Sequence, residues 1–318
     1  MQPPGFWQQD GVLPRLLAPA GAIAAALTAR RIAQSGWRAP VPVLCCGNAG
    51  VGGAGKTTVA LDLAKRLVAR GVAVHCVTRG YGGRSRGVLR VDPASHDAEL
   101  VGDEPLLLAA VAPTWVAADR AASARAAVAA GAQALLMDDG LQNPTLVKDA
   151  ALLVVDGAVG FGNGRVMPAG PLREPVSAAA ARCRAAVLIG PDATRACAAL
   201  PSDLPVLHAT LEPETALPGL RVLAFSGIAR PAKFHATLHQ AGAIVTECMD
   251  FPDHHRFNDA ELGEVLARAK ALDAMPVTTP KDAVRLPDAV RHRVRVVGVK
   301  LQWADPAALE RLLADIVP

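Results

Sequence analysis

The chain has 318 residues, enough for two domains and a substantial core. Aromatic residues make up only 3% against 51% hydrophobic, so that core must be built from Ala, Val and Leu. A net charge of +4 with scattered arginines excludes a concentrated nucleic-acid-binding face, and six cysteines without a C-x-x-C pair exclude a disulfide or zinc scaffold and fit a reduced, cytosolic compartment.

Residues 16–29 form a nearly all-apolar stretch, preceded by Phe6-Trp7 and Arg15 and closed by Arg30-Arg31. It is shorter than the ~20 apolar residues a spanning helix needs, and Pro19 and Gly21 interrupt it. The arginine pair comes last, the reverse of a secretory signal. Two readings stand: an interfacial helix on an anionic membrane surface, with Arg15, Arg30, Arg31 and Arg38 near the headgroups, or an Ala-rich helix packed on the domain.

Residues 41–46 are an apolar run read as a buried strand, in which Cys45 and Cys46 act as small apolar residues. The run delivers a complete G-x-x-x-x-G-K-T loop, and residues 58–64 follow as a helix. Strand, loop and helix in this order separate a phosphate-binding loop from a glycine-rich turn that serves geometry alone. The glycines let backbone N–H groups turn inward around a polyphosphate, and the helix dipole adds to the attraction. Lys56 would meet the β- and γ-phosphates and the Thr57 hydroxyl Mg²⁺. The spacing predicts a nucleoside triphosphate site over Gly50, Val51, Gly52, Gly53, Ala54, Gly55, Lys56, Thr57 and Thr58.

A second strand is predicted over 72–78, running into Arg79-Gly80-Tyr81-Gly82-Gly83-Arg84. That loop suits an anionic ligand or is a solvated basic turn. Asp103-Glu104, after Gly102, opens a helical stretch over 106–112, as a structural N-cap or as the carboxylate a kinase needs to accept a hydroxyl proton. A short strand over 114–117 ends at Asp119-Arg120, and a helix covers 121–130. The buried strand 134–137 delivers Asp138-Asp139, where a carboxylate would hold Mg²⁺ at the carboxyl edge of a sheet or simply end the strand.

Further apolar strands are predicted over 151–155 and 185–189, with a long functional loop over 160–175 between them. Apolar runs alternating with helices indicate an α/β fold, a P-loop NTPase parallel sheet covered by helices on both faces. Past residue 201 the prolines suggest a linker, and strands over 220–225, 243–245, 275–279 and 294–299 indicate a smaller second α/β domain. The expected division is 1–38, an N-terminal helix region, 39–215, the P-loop core, and 216–318, the smaller domain. Asp253-His254-His255, flanked by Phe251, Pro252 and Phe257, is the best cluster to assist a proton-accepting carboxylate. Metal binding by the two histidines competes, although adjacent ligands diverge and no third follows at helical spacing.

Taken together, these motifs resemble the tetraacyldisaccharide 4′-kinase family. The resemblance runs from Gly47-Asn48 and the phosphate loop through Arg79-Gly80-Tyr81-Gly82, Gly102-Asp103-Glu104-Pro105 and Asp138-Asp139-Gly140-Leu141-Gln142. It continues through Gly162-Asn163-Gly164-Arg165 and Pro168-Ala169-Gly170-Pro171-Leu172-Arg173-Glu174-Pro175. Phe225-Ser226-Gly227-Ile228, Phe251-Pro252-Asp253-His254-His255 and Lys281-Asp282-Ala283-Val284-Arg285-Leu286 complete it. The family implies transfer of the ATP γ-phosphate to the 4′-hydroxyl of a tetraacylated glucosamine disaccharide 1-phosphate, with Mg²⁺, to form a bisphosphorylated lipid A precursor. It also implies two α/β domains with the site between them and peripheral attachment to the cytoplasmic face of the bacterial inner membrane, an anionic surface, which favours the interfacial reading of 16–29; the chain is expected to be a monomer.

Carried onto this sequence, Asp103 would be the general base assisted by His254, with Lys56 on the phosphates. Thr57, Asp138 and Asp139 would form the metal site. Substrate contacts would come from Arg79, Tyr81, Arg120, Gln142, Arg173 and Glu174. Thr58, Leu141 and Pro280 stand where the family often has proline, phenylalanine and glutamate, and none is a ligand named above. The loop also resembles that of partitioning-type ATPases, but Val51 occupies the place of their second lysine. A regulatory GTPase would need N/T-K-x-D, and Thr279-Pro280-Lys281-Asp282 has the lysine displaced.

Overall fold

A computed structural model describes residues 4–317. Its strands are β1 (Val43–Gly47), β2 (Val74–Thr78), β3 (Leu89–Arg90), β4 (Thr114–Val116), β5 (Ala134–Asp138), β6 (Ala150–Asp156) and β7 (Ala185–Ile189). They continue as β8 (Val206–Pro213), β9 (Arg221–Ser226), β10 (Ile244–Asp250), β11 (Met275–Thr278), β12 (Arg295–Val296) and β13 (Val299–Trp303). Nine of them form one sheet in the order β13-β8-β7-β6-β1-β5-β2-β4-β3, antiparallel only at its two edges. The other four form a parallel sheet, β10-β9-β11-β12.

The apolar runs are continuous because the central strands are covered on both faces. Along β1, Leu44 and Cys46 point to one core, with Leu63 and Leu67 of the helix Lys56–Ala69. Val43 and Cys45 point to the other, with Ala124 and Ala127 of the helix Arg120–Ala129. Cys45, Cys46 and Cys76 are core residues, and burial pushes the Cys45 and Cys76 thiols up to about 12. β1 is flanked by β5 and β6, so the chain leaving it emerges at the carboxyl edge where the strand order reverses, the position at which such sheets bind ligands.

Two expectations are corrected. The stretch 216–318 does not stay in the second sheet, because the chain returns at β13 to pair with β8. Trp303 donates to Asp62 at 2.9 Å, and Leu309 and Leu313 of the helix Pro306–Ile316 join the core beneath Lys56–Ala69. The single strand expected over 294–299 is therefore two, β12 and β13, in different sheets.

The N-terminal apolar stretch is also longer than expected. One helix, Val12–Ile32, runs for 21 residues straight through Pro19, long and apolar enough to cross a membrane by length and composition. Proline removes one N–H donor but does not end it, and Gly21 sits where a Cβ would come 2.6 Å from the Val166 carbonyl oxygen. Only Pro14 and Gly21 are buried, while Val12, Leu16, Ile23 and Leu27 are exposed, so the helix is not an ordinary packed element. Its start is pinned to the 160–175 loop: Trp7 donates its indole N–H to the Pro168 carbonyl, and Asn163 N–H donates to the Trp7 carbonyl.

Candidate active site

The phosphate loop leaves β1 at Gly47, where a Cβ would lie 2.5 Å from the Leu141 side chain. Gly52 and Gly55 have φ of 103° and 91°, a backbone glycine adopts without strain, and Gly55 caps the helix Lys56–Ala69, in whose first turn Thr58 lies. The loop is stitched to the 160–175 segment: Val51 N–H donates to the Pro171 carbonyl, Gly50 bridges to Leu172, and Arg173 N–H donates to the Ala49 carbonyl. Gly53 has open space around it, and Ala54 packs on the core below. Lys56 Nζ donates to Asn48 Oδ1 at 3.1 Å and lies 3.7 Å from Asp139.

Asp138 ends β5 beside this loop. Thr57 Oγ1 donates to its Oδ2 at 3.0 Å, while its Oδ1 is buried without a partner. Burial first, and then the neighbouring Asp139, push the Asp138 carboxyl up to about 6. A buried carboxylate with one orphaned oxygen beside a hydroxyl is an all-oxygen donor set that fits a hard divalent cation. Among the described residues no group of three or more His, Cys, Asp or Glu could hold a metal. Mg²⁺ does not require one, since it takes one or two carboxylates and completes its shell with phosphates and water.

Asp139 is arranged differently. Its backbone has φ 50°, and both carboxylate oxygens accept from Arg173, at 2.9 and 3.2 Å. Burial would raise this carboxyl, but Lys56 and Arg173 hold it below its ordinary range. Asp139 therefore orders two cations, and Asp138 has the free oxygen.

Asp103 is not an N-cap. The cap of the helix Asp103–Ala109 is Gly102, at φ 89°, where a Cβ would come 2.5 Å from the Tyr81 carbonyl oxygen. Asp103 is only 4% exposed and faces the second sheet, where His254 Nδ1 lies 2.8 Å from its Oδ2. That hydrogen bond, opposed by partial burial, raises the His254 imidazole above its ordinary value. His255 turns away to Glu261 at 2.9 Å and stacks on Phe251, so the two histidines do not converge on a metal.

Tyr81 is 68% exposed with its ring 5.6 Å from that of His254, and Arg79 is exposed beside it, so both stand at the mouth of the site. Arg120 is buried, donates to the Ala117 and Ala118 carbonyls at 3.0 Å each, and keeps Nε without a partner. Burial, then Arg79, pull its guanidinium down to about 10. Two expected substrate contacts are internal instead. Glu174 is 2% exposed and spends its oxygens on Arg182, at 2.7 and 2.8 Å, and on Gln142. Gln142 also donates to the Asn48 carbonyl and accepts from Arg173. Both are buried behind the loop, where they orient Arg173 and Asn48.

Sequence reasoning assigned no role to Asn48, Arg182, Lys281 or Arg285. Lys281 Nζ reaches Glu104 at 2.6 Å across the two sheets, and Glu104 Oε2 is buried without a partner. Burial lowers the Lys281 ammonium, and the Glu104 carboxylate more than reverses this, leaving it raised. The signal available was the run 281–286, which carried part of the resemblance with no chemistry attached.

Comparison with known proteins is consistent along the whole chain. The family model described as tetraacyldisaccharide-1-P 4′-kinase matches residues 13–318. A tetraacyldisaccharide 4′-kinase of Gluconacetobacter diazotrophicus is 60% identical, over 98% of this chain and 97% of its own length. That of Rhodospirillum centenum is 53% identical, over 100% of this chain and 97% of its own. The crystal structure of LpxK from Aquifex aeolicus in complex with ATP superposes with a TM-score of 0.77 at 26% identity, covering 96% of this chain and 100% of that one. The chain thus belongs to the tetraacyldisaccharide-1-P 4′-kinase family.

Proposed function

We propose that this chain transfers the γ-phosphate of ATP to the 4′-hydroxyl of tetraacyldisaccharide 1-phosphate, with Asp103 as general base and His254 as its partner. The observation that carries the chemical assignment is the 2.8 Å contact between Asp103 and His254, which meets beside a P-loop. The Asp103 carboxylate accepts the proton of the attacking hydroxyl as the new P–O bond forms, and ADP departs with the electrons of the breaking bond. The Nδ1 contact engages Oδ2, leaving Oδ1 for the substrate hydroxyl. Family membership and an ATP-bound relative support ATP as the donor.

The loop N–H groups and Lys56 neutralise the phosphates, and Arg173, held by Asp139, adds a second fixed cation. Asp138 and Thr57 would hold Mg²⁺, whose part is to neutralise charge on the phosphate oxygens. Arg120 offers its unpartnered donor to the anionic sugar or the transferring group. The exposed apolar face of Val12–Ile32 and the arginines at its end suit attachment to the cytoplasmic face of the inner membrane. An acylated substrate stays in its bilayer, since each CH₂ moved into water costs roughly 0.8 kcal/mol.

The test is transfer of label from γ-labelled ATP to detergent-dispersed tetraacyldisaccharide 1-phosphate, with and without Mg²⁺. A labelled bisphosphorylated lipid formed only with Mg²⁺ supports the reading. ATP hydrolysis with unlabelled lipid would reject it in favour of a switch ATPase.

A further inference from the structure

We propose that Arg285 is a positioning residue for this reaction, the group that seats His254 of the second sheet on Asp103 of the first. The inference rests on the assignment of Asp103 and His254 above.

Arg285 follows the short helix Pro280–Ala283 and its side chain is 6% exposed, yet it lies at the junction of the two sheets. Nε pairs with Asp103 Oδ2 at 3.3 Å, the same oxygen that His254 engages, and donates to the Lys281 carbonyl at 3.2 Å. Nη1 donates to the His255 carbonyl at 2.7 Å. Nη2 donates to the Gly227 carbonyl at 3.2 Å and lies 3.3 Å from Asp282 Oδ1. Asp282 is itself completely buried and takes the Gly227 N–H at 2.8 Å. One planar guanidinium therefore ties the catalytic carboxylate to the two backbone segments around the histidine. A guanidinium fork fixes angles as well as distances, and the single ammonium of lysine cannot span these acceptors together.

The histidine needs such a restraint. His254 has φ 57°, a left-handed conformation that a non-glycine residue holds only when its surroundings impose it. Its own N–H is held by the Gly227 carbonyl at 3.0 Å, and that same carbonyl accepts from Arg285. Gly227 is itself a close approach, where a Cβ would come 2.9 Å from the His255 side chain. Arg285 thus braces the turn at the carbonyl after His254 and at the carbonyl that receives its N–H, while touching its carboxylate partner directly. Among the described residues, its hydrogen bonds and ion pairs all fall outside the phosphate loop, so its influence falls on proton acceptance rather than on the nucleotide.

The experiment measures kcat, KM for ATP and thermal melting for the full chain carrying Arg285→Gln, Arg285→Lys, His254→Ala, and Arg285→Gln with His254→Ala. Arg285→Gln should lower kcat about 10- to 100-fold with KM for ATP within about twofold, and Arg285→Lys should recover only part of the loss. Once His254 is gone, losing Arg285 should cost at most about threefold more, because the two act through one unit. Losses that multiply in the double variant would overturn the proposal. So would a raised KM for ATP at unchanged kcat, or a lowered melting temperature with full kcat in the folded protein. If Arg285→Gln does not fold, the lysine variant is judged by the same kcat–KM split and the same cycle. Full activity of His254→Ala would instead reject the base assignment, and this inference with it.

Discussion

The phosphate-loop half of the candidate site and its proposed proton-accepting half are built by opposite means. The first is local: Gly50 to Thr57 form one loop after β1 and the first turn of the helix that follows, and each positive φ there falls on a glycine. The second joins residues 151 positions apart, on two sheets, and its central histidine has a strained backbone. The phosphate loop is therefore complete on one sheet alone, whereas the proposed base meets its histidine only across the two sheets. The donor half and the acceptor half can therefore be broken separately.

Breaking each half should have distinguishable consequences. The largest effect is expected at Lys56→Ala, where kcat should fall by about 10³-fold or more through lost charge on the transferring group. Measured ATP binding should weaken as well, and unchanged binding would contradict the role given to Lys56.

Asp138→Asn should also abolish Mg²⁺-dependent transfer, yet stabilise the metal-free protein. With its carboxyl pushed up to about 6 by burial, the native state holds the Asp138 proton more tightly than the unfolded chain. The corresponding stability is fully present below the ordinary carboxylate range and is lost as pH rises through about 6. The asparagine variant should therefore melt higher than wild type at pH 8, by on the order of 2–3 kcal/mol, and lose this advantage near pH 4. Equal melting at pH 8 would refute a costly buried charge.

The second half should be softer. His254→Ala is expected to lower kcat about 10- to 100-fold and to leave ATP affinity intact, as determined by equilibrium binding. A comparable role in seating the second sheet falls to Asp156, which is buried at the end of β6 and paired with Arg230 and Lys233 beside the helix Pro231–Gln240. Asp156→Asn leaves two cations facing a neutral amide and should cost about 3 kcal/mol, read as a lower midpoint in urea. The smallest effect is a pH dependence. The His254 imidazole, raised by its bond to Asp103, contributes stability that is complete below its ordinary value of 6.5 and lost as pH rises through its higher native value. The stability gap between wild type and His254→Ala should accordingly shrink on titration upward from pH 6, and a gap that grows would contradict the pairing.

This contrast also explains what could be read in advance. The parallel sheet, the phosphate loop and the Thr57–Asp138 contact were legible because glycine spacing and continuous apolar runs are local signals. The burial of Glu174 was not, since its partner Arg182 lies eight positions on, past the helix Val176–Ala180, in a segment with no motif. The return of β13 to the first sheet depends on Trp303 reaching Asp62 and on leucines meeting a distant helix, information spread over 241 positions. The length of the Val12–Ile32 helix is not legible, because proline and glycine in an apolar run normally signal a break, whereas here Gly21 marks close contact with Val166. Arg285 stands in plain view inside a motif, but the Asp103, His255 and Gly227 oxygens that it meets belong to segments that only the fold brings together.

The proposed mechanism turns on Asp103 accepting the proton of the attacking hydroxyl. The most direct test is single-turnover transfer from labelled ATP to detergent-dispersed tetraacyldisaccharide 1-phosphate by wild type and Asp103→Ala, with enzyme and ATP in excess. The variant should transfer phosphate about 10²- to 10⁴-fold more slowly, with unchanged ATP affinity and an intact fold. A variant that binds ATP, folds normally and transfers phosphate at the wild-type rate would contradict it.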